Sequence, residues 1–109
     1  MKGSAPYSNT ALGATAALVH TKEVKLMGYH LFNTTAAAAY VQFFDAAAAN
    51  DVVVGTTTPT FVIGLPASGG ATRALARGIQ FTRGIVVAST TAATGDSAAT
   101  TVILLELSE

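Results

Sequence analysis

Apolar and polar positions alternate with period two along much of the chain, the pattern of strands with one buried face. Val24 and Leu26 alternate with Lys25 and Met27. Tyr29, Leu31 and Phe32 carry that run to a turn at Asn33-Thr34-Thr35. Phe61, Ile63 and Leu65 share one face of a run from Thr60 to Leu65, with Val62 and Gly64 on the other. Pro59 and Pro66 bracket it, because proline cannot donate to a ladder. Ile79 and Phe81 flank Gln80, Ile85 to Ala88 follow a break at Gly84, and Thr101 to Leu107 make a closing strand. Ala14 to Thr21 and Val52 to Val54 are shorter strand signals. Gly55 to Pro59, Ala67 to Gly70 and Ser89 to Thr100 read as loops. Turns about every ten residues among short strands predict a sandwich or barrel.

The stretch from Tyr29 to Asp45 holds most of the aromatic residues and is the expected anchor of the core. Its second half fits two patterns. Tyr40, Phe43, Phe44 and Ala47 are spaced as one helical face, in an Ala-rich setting that favours helix. As a strand, Tyr40, Gln42 and Phe44 would share one face and Val41, Phe43 and Asp45 the other. Local pattern leaves both open. Consistency with the neighbouring segments favours the strand.

Residues 1–13 carry Gly, Ser, Pro and Asn with one tyrosine and no periodicity, which predicts an extended N-terminal arm. Pro6, Ser8, Asn9 and Thr10 interrupt any apolar run there, so no signal peptide is expected. A single domain is then expected over 14–109.

Composition adds one strong signal. Of 109 residues only 11% are charged, against about 25% in ordinary soluble domains. Six basic and six acidic residues cancel. A surface so poor in charge suits a covered surface, in an oligomer or a larger assembly. Charge balance gives no footprint for nucleic acid. No apolar run is long enough to cross a membrane as a helix.

Candidate chemistry is sparse. Without cysteine there are no disulfides or thiolate sites. His20 and His30 lack a third ligand at useful spacing, so they read as packing or surface residues and no metal or other cofactor is expected. Among Glu23, Asp45, Asp51, Asp96, Glu106 and Glu109, only Asp45 and Asp51 straddle one turn, where capping accounts for both. No nucleophile elbow is present, and Gly69-Gly70-Ala71-Thr72-Arg73 has only half of a phosphate-binding pattern. No enzyme is expected. Arg73, Arg77 and Arg83 form a small cationic group, either a solvated rim or a docking contact, since Arg is enriched at interfaces. Tyr7, on the arm, joins them as a candidate contact.

Three groups of residues carry a resemblance. They are Leu31-Phe32-Asn33 with Ala39 to Ala46, Val54 to Pro59 with Ile63 to Gly70, and Gly78 to Phe81 with Gly84 to Thr91. Together they resemble small structural proteins of tailed bacteriophages, over roughly residues 28 to 107. The resemblance includes capsid decoration, or cement, proteins. It implies a single jelly-roll-like β-sandwich of about seven or eight short antiparallel strands. It further implies a homotrimer on the outer capsid surface, with the major capsid protein as partner, made in the host cytoplasm and ending in the virion. The alternative is a tail, fibre or baseplate protein that binds a host-surface glycan through an exposed aromatic such as Tyr7 or Tyr40.

Overall fold

A computed structural model describes residues 4–108. The described chain forms eight strands: β1 (Ser4–Leu12), β2 (Ala17–His20), β3 (Val24–Asn33), β4 (Ala39–Asp45), β5 (Phe61–Leu65), β6 (Gly70–Phe81), β7 (Ile85–Thr90) and β8 (Thr101–Ser108). They build two four-stranded antiparallel sheets, ordered β1-β8-β3-β6 and β2-β7-β4-β5. The strands pair as a folded-over hairpin, first with last and fourth with fifth. The β3–β8 and β4–β7 ladders then close each sheet. That order is the connectivity of a jelly roll, so the expected all-β sandwich is the observed fold.

The core lies between the sheets. Leu26, Leu31, Ile103 and Leu105 from one sheet meet Val41, Phe43, Ile85 and Val87 from the other. In β8 the alternation is plain, with Thr101, Ile103, Leu105 and Leu107 buried and Leu104 and Glu106 exposed. In β3, Leu26 and Leu31 both face inward although five positions apart. A register shift between Leu26 and Gly28 resets the phase and turns Phe32 to solvent.

Tyr40 to Asp45 is strand. A helix would have offered one apolar face, but this segment is buried on two. Val41 and Phe43 enter the main core, where the Phe43 and Phe61 rings lie 5.4 Å apart. Phe44 points the other way, into a second cluster with Ala46, Val52, Val86 and Ala88. The β4–β5 connection supplies that cluster, so Val52 is a plug and not part of a strand. After the 3-10 turn Ala49–Asp51, the Val53 carbonyl accepts from the Thr56 and Thr57 N–H groups and curls the β-branched run into a turn. Beside Phe44, Gln42 is fully buried and donates through Nε2 to Thr90 Oγ1 (2.7 Å) and to the Gly95 carbonyl (3.1 Å). The Thr90 hydroxyl in turn donates to the Ala92 carbonyl, which holds the β7–β8 loop across the outer face of this sheet.

Two further expectations are corrected. Residues 4–12 are not an arm: β1 runs antiparallel to β8 and forms an edge of the first sheet. Residues 1–3 lie outside the described residues. The strand expected around Ile79 to Phe81 begins at Gly70 and runs for 12 residues, because β3 pairs with both of its ends, on either side of a bulge at 75–78.

Asp45 ties the sheets together at one end. Its carboxylate accepts from the Thr82 N–H (3.1 Å), the Thr82 hydroxyl (3.0 Å) and the Arg83 N–H (2.8 Å) in the β6–β7 turn. Partial burial works to raise its pKa, but these bonds, with the Gly84 N–H, outweigh it and hold the pKa below the usual 3.8. A lowered carboxylate pKa contributes stability that is fully present above the unfolded value and is lost as pH falls through the folded one. Asp45→Asn is therefore expected to cost about 1 kcal/mol at neutral pH, the low end for charge-assisted bonds because solvent reaches the site. In urea titrations that difference should shrink below about pH 4. A gap that stays constant from pH 7 to about 2.5 would contradict the assignment.

Candidate docking surfaces

The arginines singled out from the sequence separate into two places. Arg73 and Arg77 are exposed on β6, the outer edge of the first sheet. Arg73 pairs in register with Tyr29. Arg77 lies where β6 bulges: Ala74 and Ile79, five positions apart, face Gly28 and Leu26, two apart. Arg83 sits in the turn after β6, with its backbone engaged by Asp45 and its side chain exposed. An edge strand presents one row of backbone donors and acceptors that its own sheet leaves unpaired. On β6 that row runs beside small residues, Gly70, Ala71, Thr72, Ala74 and Ala76, which let another chain approach closely.

Neither tyrosine offered as an exposed aromatic stands on a loop. Tyr7 lies on β1, half-buried against the main core and opposite Leu105. Tyr40 is half-buried on β4 and lies across Gly64 of β5, where a side chain at that glycine would meet its ring at 3.1 Å. Tyr7 thus covers the core at an edge strand, and Tyr40 covers Gly64 on the outer face of the second sheet.

The titratable residues are dispersed. His20 is on β2, where the Lys22 N–H donates to its Nδ1 at 3.2 Å, and His30 is on β3 in the other sheet, hydrogen-bonded to Thr72. Among the described residues, no three His, Asp or Glu side chains come together. Asp45 is committed to the β6–β7 turn, whereas Asp51 is exposed in the β4–β5 connection. Glu23 accepts from Gln80 Nε2 at 3.3 Å. Asp96 packs beside Gly55, joining the two loops that cover the second sheet. Glu109 lies outside the described residues.

The feature that sequence reasoning missed is the solvent face of the first sheet. Its strands present Gly28, His30 and Phe32 from β3, Val102, Leu104 and Glu106 from β8, and Gly70, Thr72 and Ala74 from β6. Phe32 is 41% exposed and Leu104 43%. Where Gly28 and Ala74 lie side by side the face sinks into a hollow of about 190 Å³, walled by Leu104, Glu106, His30, Thr72 and Arg73. The only local sign of this face is the phase reset in β3, since the hollow itself depends on long-range register. Comparison with protein-family models, curated proteins and solved structures found no match.

Proposed function

We propose that this chain is a capsid decoration protein of a tailed bacteriophage, which binds the outer surface of the head and stabilises the assembled shell without a catalytic step. The observation that carries this reading is β6, a 12-residue exposed edge strand bearing Arg73 and Arg77. A partner strand of the major capsid protein can extend the sheet along that edge. The arginines then reach carboxylates and backbone carbonyls on the shell. The charge-poor surface and the resemblance to small virion proteins support the same reading. A protein that binds only the assembled shell stabilises it by mass action, and many copies on a symmetric lattice multiply a weak contact.

The test uses heads prepared without this protein. Adding the purified chain should raise the temperature at which they release DNA. An Arg73→Glu, Arg77→Glu double variant should bind heads at least about tenfold more weakly while melting like the wild type, because both side chains are solvent-exposed. Heads that neither bind the chain nor gain heat resistance from it would overturn the proposal.

A further inference from the structure

We propose that two copies of the chain pair through the solvent face of the β1-β8-β3-β6 sheet, a dimer in place of the trimer that the resemblance implies. The twofold axis crosses the strands at His30, and Phe32 of each copy enters the Gly28–Ala74 hollow of the other.

The register of β3 carries the argument. Gly28, His30 and Phe32 follow one another on the same face, so the hollow lies two residues to one side of His30 and the exposed ring two residues to the other. Each offset is about 6.8 Å along the strand. A twofold axis across the strands at His30 exchanges those positions and lays each ring over the partner's hollow. An isologous interface demands this relation, in which one surface complements its own rotated copy. An unrelated partner imposes no such constraint on where knob and socket lie. The same axis brings Leu104, level with His30 on β8, against its counterpart and makes an apolar centre.

Size points the same way. A hollow of about 190 Å³ is small beside the roughly 300–1,000 Å³ of small-molecule pockets, and its scale is that of one large side chain. Four strands, each paired over about eight residues, give a face on the order of 500 Å². Pairing two such faces removes about 1,000 Å² from solvent, the lower bound for a specific interface. A reversible dimer of micromolar strength is expected. Glu106 and Arg73 at the hollow, with Lys25 beyond it, place charges of both signs at that end of the face, and the axis sets that end over the partner's Phe32 end, so like charges do not meet.

Sedimentation velocity of the full chain over a concentration series tests this. The wild type should pass from monomer to dimer. Phe32→Lys removes the knob and Ala74→Trp fills the socket, and each should weaken dimerisation at least about tenfold. Val53→Lys, on the loop covering the other sheet, should leave it unchanged. The chain has no cysteine, so a single Leu104→Cys substitution adds a second readout that does not depend on the other variants. A short bismaleimide should join two such chains across the axis and should fail to join Val53→Cys chains. A wild type that stays monomeric, a trimer, or a dimer indifferent to both Phe32→Lys and Ala74→Trp would overturn the proposal. Head binding through β6 is read on Arg77, which lies outside the hollow that Arg73 helps to line, and can succeed or fail independently.

Discussion

Gly84→Ala should remove much of the stability of the fold. Gly84 is buried in the β6–β7 turn, directly after the two residues that Asp45 holds. Its φ of +147° is a conformation that side-chain-bearing residues rarely adopt. A methyl group there would also press on the carbonyl of His20 and lie 2.6 Å from that of Ala46. Both obstacles are backbone, in β2 and just after β4, so neither can swing aside. Backbone strain of this kind costs about 1–3 kcal/mol, and overpacking a similar amount. Their sum, on the order of 4 kcal/mol, approaches the whole stability of a small domain, about 5–15 kcal/mol. The melting temperature should fall by about 15 °C or more. Arg83→Ala is the control: it keeps the N–H that Asp45 uses, and its effect should stay within about 0.5 kcal/mol. A Gly84→Ala protein that melts within a few degrees of wild type would show that the turn can rearrange, contrary to the packing described.

Phe43→Ala should cost about 3–5 kcal/mol, and Phe44→Ala clearly less. Phe43 is fully buried midway along the central strand β4 and packs on Phe61, Val41 and the inner residues of both sheets. Rigid ladders hold that cavity on two sides and prevent its collapse. Phe44 is almost as buried, but its lid is the β4–β5 connection with Val52 and Val54. A loop can settle into the space that a smaller residue leaves, which reduces the cavity term. The ranking is the informative outcome of the denaturant titrations. Equal losses would mean that the two rings share one environment, as they would on one helical face.

These two residues also show what the sequence could convey. Where a strand has one dry face and one wet face, as in β8 and β5, period-two alternation was sufficient. In β4 both faces are covered, so the alternation disappears into a continuous apolar run and helical spacing fits as well. The edge strands of the first sheet were harder. β1 is built from Ser, Ala, Asn and Thr, and most of β6 from Gly, Ala, Thr and Arg, with little intrinsic strand signal. They are strands because β8 and β3 supply ladder partners far away in sequence, information that no local window contains. Val52 to Val54 fails in the opposite sense: its β-branched composition is real, but it finds an apolar cluster to cover and no ladder to join.

The candidate contacts divide in the same way. Arg73 and Arg77 were visible as residues, yet their place on a long free edge followed only from the extent of β6. Tyr7 was legible as an aromatic in a polar segment, but its ring belongs to the seal of the core because the arm is a strand. The Gly28–Ala74 hollow could not be read at all, since it exists through the register of three strands. A jelly roll by itself is compatible with many functions, so these surfaces, and not the fold, carry the functional reading.

The most direct measurement is an image of the virion in which this chain is located and its copies counted. A capsid decoration protein is predicted to appear on the outer surface of the head, repeated over the whole shell lattice, with β6 facing the major capsid protein. A few copies confined to the tail, or none on the particle, would contradict the account.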